Sequence, residues 1–332
     1  MLGLEYKMNI AIVGAGLIGR KRAMSLPAGV NIKIICDIDE VRGRQFAADF
    51  GAEYEPKWKN VVKNSEIEAV MVATTHNILT PVGIEAIKNG KHLFLEKPGA
   101  RNLEEFDLLY KAYKKNPVVV AFGYNHRYHP SIQKAKEIID GKKFGEVMFI
   151  RAKYGHGARL GYEKEWRFVE EISGGGELID QGPHLIDLVN YFGCKMDQVV
   201  GYVGTLYWQT PLEDSAFWLM KNKKGQMAQL SVTCVEWKNI FSFEIMLKNA
   251  KIQIDGLGRS YGKEHLTLYK MKPEMGPPDV EEFEFGDEDL SWSIENKLFF
   301  DRIAKKDYSP TPLEDARYVL VIIDKIYSKN KI

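Results

Sequence analysis

Asn9-Ile10-Ala11-Ile12-Val13-Gly14-Ala15-Gly16-Leu17-Ile18-Gly19 is the stretch on which the fold turns. Its first five residues are mostly apolar, stop at a glycine and read as a buried strand. Gly14, Gly16 and Gly19 follow at G-x-G-x-x-G spacing, and residues 20–26 continue in a helical pattern. A glycine loop alone is weak evidence. Set between a strand and a helix, it is a dinucleotide-binding fingerprint. The glycines permit a tight turn and let a pyrophosphate approach the backbone. The helix start then offers N–H groups and the positive end of its dipole. The cofactor contacts expected here are Gly14, Gly16, Leu17, Ile18 and Gly19.

Downstream, residues 32–37 read as a second strand ending in Asp37. That acid lies 37 − 19 = 18 residues beyond the last glycine, near the roughly 20 at which a carboxylate meets the adenosine ribose. It would repel a 2′-phosphate, so NAD is expected, with NADP the alternative because Arg42 and Arg44 stand close in sequence. Asp37 also reads as a helix N-cap, with Asp39 a competitor. Strands at 69–74, 92–97 and 118–123 alternate with helices at 40–50, 78–89 and 103–115. Such alternation predicts a doubly wound parallel sheet with ligands at the strand C-termini. Those ends carry Thr74, Thr75, His76 and Asn77, then Glu96 and Lys97, then Asn125 and Arg127. Lys97 is either a snorkelling cation or a group that stabilises a developing alkoxide.

The second half opens with a helix at 128–140 that reads as a bridge between domains, followed by alternating strands. A loop at 155–167 gathers His156, Arg159, Trp166 and Arg167. Arginine forks suit phosphates and carboxylates, and aromatic faces suit sugars or bases. The loop therefore predicts a site for an anionic sugar derivative such as a nucleotide sugar, against the plainer reading of a solvated surface loop. Then comes Gly174-Gly175-Gly176-Glu177-Leu178-Ile179-Asp180-Gln181-Gly182-Pro183-His184. On a helix Asp180 and His184 share a face, within reach of one ligand. Pro183 implies either a kinked helix or one that starts there. The plainer reading is an N-cap and a core histidine. Strands are predicted at 198–207, 214–220, 227–235, 241–247 and 251–255. Trp237 follows one of them, as a pocket or core residue, and 272–278 with the acidic 279–289 read as a surface excursion. Thr311-Pro312-Leu313-Glu314 reads as a capping box opening the last helix.

The motifs Gly14–Gly19, Glu96-Lys97-Pro98 and Gly174-Gly175-Gly176…Asp180…His184…Asp187, in this order, resemble the Gfo/Idh/MocA oxidoreductases over essentially the whole chain. The resemblance implies α/β plus α+β architecture: an N-terminal Rossmann domain, and a C-terminal domain on a large, mostly antiparallel open sheet. It implies hydride transfer between NAD and a secondary alcohol or ketone of a sugar or sugar derivative, with Lys97, Asp180 and His184 catalytic. It further implies a cis Lys97–Pro98 peptide and a homodimer or homotetramer formed through the C-terminal sheet. Many members carry a histidine near the position of Thr80, which leaves the contacts of the 74–77 loop open. Alternatives on the same fold are an inositol-type polyol dehydrogenase and a non-catalytic cofactor or sugar sensor.

The 332 residues, 45% hydrophobic, suffice for two domains, expected at 8–127 and 128–332. A net charge of +1 offers no pull toward nucleic acid or membrane. Cys36, Cys194 and Cys234 suggest neither disulfides nor zinc and fit a reducing cytoplasm. A metal site at Asp180, His184 and Asp187 is a rival reading, disfavoured because the other histidines are scattered. Residues 1–7 are too short for a signal peptide and read as a disordered lead.

Overall fold

The computed structural model describes residues 6–274 and 276–330. The chain divides into two compact units, one of residues 1–124 with 292–318 and one of 125–291 with 319–332. Residues 292–318, placed by the sequence in the second domain, therefore belong to the first, and 125–127 to the second.

The first unit holds six parallel strands: β1 (Met8–Val13), β2 (Val30–Cys36), β3 (Glu53–Glu55), β4 (Ala69–Val72), β5 (His92–Leu95) and β6 (Val120–Phe122). Their order, β3-β2-β1-β4-β5-β6, is that of a doubly wound nucleotide-binding sheet. Helices α1 (Leu17–Met24), α2 (Glu40–Phe50), α3 (Trp58–Lys63), α4 (His76–Lys88) and α5 (Leu103–Lys115) connect them. β4 is buried throughout and β1 over its last four residues, which is why these stretches read as plain apolar runs. Ile10, Ile12, Phe46, Met71 and Phe94 share a core with Phe299 and Phe300 from a much later helix. Tyr6 joins that core and its hydroxyl donates to Asp301. The expected disordered lead thus fails at Tyr6, while residues 1–5 lie outside the described residues.

The second unit holds an eight-stranded sheet in the order β14-β13-β12-β11-β7-β10-β9-β8. Its strands are β7 (Val147–Gly155), β8 (Gln198–Gly204), β9 (Ser215–Lys221), β10 (Met227–Thr233), β11 (Ile240–Leu247), β12 (Ala250–Asp255), β13 (His265–Lys270) and β14 (Asp279–Glu284). β7 and β10 pair parallel, and the other neighbours antiparallel. Buried residues alternate with half-buried ones along β11, buried at Phe241, Phe243, Ile245 and Leu247. Helices α6 (Pro130–Asp140), α7 (Glu170–Ser173) and α8 (Glu177–Tyr191) precede β8, and α8 packs on β7, β9 and β10. The chain closes with α9 (Ser291–Ala304) and α10 (Thr311–Asn330).

The acidic stretch read as a surface excursion is an edge strand. β14 is almost wholly exposed, so no alternation marks it. It is tied to its neighbourhood by Lys270–Glu281, Lys263–Glu284 and Lys272–Asp279 ion pairs.

Candidate functional site

In the first unit, each fingerprint glycine has its own constraint. Gly14 lies at φ +106°, and a Cβ there would stand 2.3 Å from the Ala73 carbonyl oxygen. A Cβ on Gly19 would stand 1.9 Å from the Gly14 oxygen. Gly16 is the opposite case: it is the N-cap of α1, with no side-chain cap and nothing within 4 Å of its would-be Cβ. Open space in front of an uncapped helix start fits a pyrophosphate. Leu17, the next residue, is 72% exposed.

Asp37 is buried at the end of β2 and reaches back to this loop. Its Oδ2 accepts the Ala15 N–H at 2.7 Å, and its Oδ1 accepts from Asp39 N–H and Arg42 at 2.8 and 2.7 Å. Burial works to raise this carboxyl, but the bonds from Arg42, Asp39 and Ala15 outweigh it and hold it below the ordinary range. The carboxylate keeps lone-pair capacity on Oδ2 for a ribose hydroxyl. The N-cap role belongs to Asp39, which accepts from Arg42 N–H. Ile38, 91% exposed beside Asp37, is an apolar surface that the sequence reading passed over.

At the end of β4, the Thr75 hydroxyl donates to Asn77 at 2.8 Å, the Thr74 hydroxyl to the Thr75 carbonyl, and His76 is buried at the start of α4. Thr80 is buried too, its hydroxyl on the Gly99 carbonyl at 3.3 Å. Glu96, expected at the cofactor, is turned inward. Its Oε1 accepts from Arg22 at 2.7 Å, and the wholly buried guanidinium also pairs with Glu295 at 2.7 Å. Burial disfavours that cation, yet the two carboxylates hold it firmly charged. Phe94 and Trp292 rings lie 4.2 and 4.5 Å from its carbon. Arg22 therefore anchors the residue before Lys97, and nothing in its helical pattern announced this. The Lys97–Pro98 peptide is cis, as the resemblance implied, and Lys97 is half-buried.

In the second unit, α8 runs from Glu177 to Tyr191 with Pro183 inside, so the helix does not start at Pro183. Glu213 caps it. One carboxylate oxygen accepts Gly176 N–H at 3.0 Å, Leu178 N–H at 3.1 Å and the Tyr327 hydroxyl at 2.6 Å. A Cβ on Gly176 would stand 2.0 Å from the Glu213 carbonyl oxygen, and one on Gly175 2.2 Å from the Tyr327 hydroxyl. These glycines admit the close approach of Glu213 and Tyr327.

So capped, α8 presents Asp180, His184 and Asp187 at helical spacing, all buried. Arg167 donates from Nε to Asp180 at 2.9 Å and from Nη1 to Glu165 at 2.9 Å. Burial works against that guanidinium, but Asp180, Tyr162 and Glu165 keep it charged. Its carbon lies 4.7 Å over the Trp166 ring. Arg159 is largely exposed and pairs with Glu165. His156 lies 3.5 Å from Glu177. Burial chiefly lowers its pKa, against an opposing pull from Asp180, so it is neutral at pH 7. Arg127, expected at the substrate, instead forks onto Asp187, with Nε at 2.7 Å from Oδ2. Trp237 is 61% exposed at φ +57°, its ring against Tyr207 at 4.6 Å. Asn125, expected at the cofactor, bonds Ser291 at 3.0 Å and faces His126. The His126 ring stacks on His184 with centroids 3.8 Å apart and planes at 25°. Sequence reasoning did not single out His126; its place beside Asn125 at a strand end was the available signal. Among the described residues no group of three or more His, Cys, Asp or Glu is placed to hold a metal ion, and no helix is long and apolar enough to cross a membrane.

A doubly wound sheet with an open glycine loop, joined in one chain to a sheet that carries a buried Asp/His helix face, defines a two-domain nucleotide-dependent class. Comparison with known proteins narrows it. Residues 8–124 match the oxidoreductase family with an NAD-binding Rossmann fold, and residues 132–253 match the GFO/IDH/MocA C-terminal domain. Levoglucosan dehydrogenase of Pseudarthrobacter phenanthrenivorans is 27% identical over 219 residues, 62% of this chain and 56% of that protein. Oxidoreductase P35 of Formosa agariphila is 30% identical over 214 residues, 59% of this chain and 67% of its own. The chain thus spans little more than half of the levoglucosan dehydrogenase that it matches in sequence. The structure of levoglucosan dehydrogenase in complex with NADH and levoglucosan is similar with a TM-score of 0.89 at 22% identity, covering 97% of this chain and 96% of that one. At that identity the likeness is one of fold. The chain belongs to the Gfo/Idh/MocA oxidoreductase family, and its first unit is the family's NAD-binding Rossmann domain.

Proposed function

We propose that the protein exchanges a hydride between NAD and a secondary alcohol, or its ketone, of a neutral sugar or polyol. The observation that carries this reading is the pair Asp180 and His184, buried one turn apart on α8, with Arg167 on the first and a second imidazole against the other. Bound NAD supplies the hydride acceptor at nicotinamide C4. In the oxidative direction His184 takes the hydroxyl proton while the carbinol C–H electron pair leaves as hydride, so the alcohol becomes a ketone and one proton is released. Asp180, held by Arg167, orients the hydroxyl. Lys97 supports alkoxide character; its role rests on the Glu96-Lys97-Pro98 motif.

A neutral substrate is favoured over a nucleotide sugar because both loop arginines are already engaged. Arg159 and Arg167 are matched by two carboxylates, Glu165 and Asp180, and leave no uncompensated positive charge for a phosphate. The relative's printed substrate, levoglucosan, is an uncharged sugar derivative and supports the same choice. Levoglucosan, an inositol, glucose 6-phosphate and a UDP-sugar should be offered with NAD, following NADH formation. Turnover is expected with the uncharged members. Preference for the UDP-sugar, lost on changing both Arg159 and Arg167 to Ala, would reverse the assignment. His184→Asn and Lys97→Ala should each lower kcat by roughly 10² or more; wild-type rates from both would sink the mechanism.

The outward face of the second sheet exposes Val200, Tyr202, Phe217, Leu219 and Met227. Such a patch supports pairing of two copies through this face, which sedimentation equilibrium would reveal as a dimer mass. The three cysteines are free and buried, in agreement with a reducing cytoplasm.

A further inference from the structure

His126 lies outside every motif that pointed to the reaction, yet it is the ring in closest stacking with His184. Its hydrogen bonding is fixed by a chain of partners, each with a single choice. The Ser291 hydroxyl donates to Asp289 at 2.6 Å, which uses its only hydrogen. The same oxygen must then accept from the Asn125 amide nitrogen at 3.0 Å. That orients the Asn125 carbonyl oxygen toward His126 Nδ1, at 3.3 Å. A carbonyl oxygen only accepts, so Nδ1 carries the hydrogen and the neutral ring is the Nδ1–H tautomer.

Around the stacked pair the surroundings are aromatic and closed. Tyr154 of β7 meets His126 edge-on at 5.2 Å and His184 at 6.1 Å, and Tyr261 backs Tyr154 at 4.8 Å. Burial holds both phenols neutral, well above physiological pH. His129 meets His126 edge-on at 5.7 Å and is engaged by Glu264. The acidic groups on α8 are Glu177, beside His156, Asp180, paired with Arg167, and Asp187, paired with Arg127. Both imidazoles are under 8% exposed. Two cationic rings at 3.8 Å in such a place would repel strongly, whereas one cation over a neutral ring face is attracted.

We propose that His126 is a positioning residue for the base: Asp289, Ser291 and Asn125 lock its tautomer, and its neutral ring holds the His184 imidazole and supports the charge gained with the substrate proton. This rests on the reading of His184 as the base. The Asp…His motif does not itself demand an imidazole at position 126; the Asn125-His126-Arg127 turn supplies it.

The test uses the full chain labelled with 15N-histidine. In the wild type, the nitrogen shifts of His126 should report the Nδ1–H tautomer, and Ser291→Ala should mix the tautomers. His126→Leu should move the titration midpoint of His184 to lower pH by roughly half a unit or more. His126→Phe, which keeps a neutral ring face and guards against a folding artefact, should stay near wild type. In turnover, His126→Leu should lose about tenfold in kcat with little change in KM, and His126→Phe should recover most of it. An Nε2–H tautomer in the wild type, or a His184 midpoint and kcat unmoved in His126→Leu, overturns the inference. If His184→Asn abolishes turnover while His126→Leu changes nothing, this inference alone fails. If His184→Asn keeps wild-type turnover, the base assignment and the inference fall together.

Discussion

At the scale of single residues, the side chains that matter are those whose charge is balanced by another side chain. Asp37 is the clearest. Its carboxylate is shared between the glycine loop and Arg42, so it both shapes the loop and opposes a 2′-phosphate. Changing Asp37 to Ser removes the repulsion and releases Arg42 to meet that phosphate. NAD efficiency should fall by about tenfold or more, and NADP efficiency should rise, in paired kcat/KM measurements. An unchanged ratio would remove Asp37 from cofactor choice. Glu264 makes a second case. Burial works to raise its carboxyl, but His129 and the Ser131 N–H more than offset this and lower it. A carboxyl lowered on folding stabilises the protein above its unfolded value, and the benefit is lost as pH falls through the folded value. Glu264→Gln should therefore lose about 1–3 kcal/mol near neutrality, and the gap from wild type should close as pH falls below the ordinary glutamate range. Urea unfolding across that range decides it; a constant gap would mean that the carboxylate charge contributes nothing.

At the scale of elements, α8 shows how much a helix start depends on what meets it. Gly176→Ala drives a methyl into the Glu213 carbonyl, 2.0 Å away on rigid backbone. The expected loss is about 1–3 kcal/mol. Gly182→Ala, inside the same helix, meets only a Leu178 methyl at 3.0 Å and gains helix propensity of about 1 kcal/mol. Chemical unfolding should rank Gly176→Ala well below Gly182→Ala, and equal midpoints would refute the clash. The same contrast explains what could be read in advance. β1 and β4 were legible because burial on both faces leaves short apolar runs, and the glycine loop because its backbone demands are local. β3 is three residues at an edge, and β14 is charged on an exposed edge, so neither leaves a period. The capping-box reading of Thr311 also missed: the Thr311 hydroxyl meets Ser309, and Glu314 N–H goes to the Pro310 carbonyl. Asp180 and His184 stood out by spacing, whereas Arg167's hold on Asp180 and His126's stack on His184 are tertiary contacts with no sequence period to betray them.

At the scale of the whole molecule, each unit is assembled from two separated stretches of chain. Phe299, Phe300 and Ile303 close the core begun by β1 and β2, and Glu295 and Asn296 complete the partners of Arg22. A chain ended at Ser291 would leave that core open and a buried guanidinium short of a carboxylate, a defect of several kcal/mol. It should elute as aggregate in size-exclusion chromatography and fail to enhance NADH fluorescence; a monodisperse, NADH-binding fragment would show α9 to be dispensable. The same threading bears on biosynthesis. After residue 124 leaves the ribosome, 291 − 125 + 1 = 167 further residues must be translated before the closing segment, which starts at residue 292, begins to emerge. At 5–20 residues per second that is a delay of roughly ten to thirty seconds, during which the unfinished nucleotide-binding layer is a natural client for chaperones on the nascent chain.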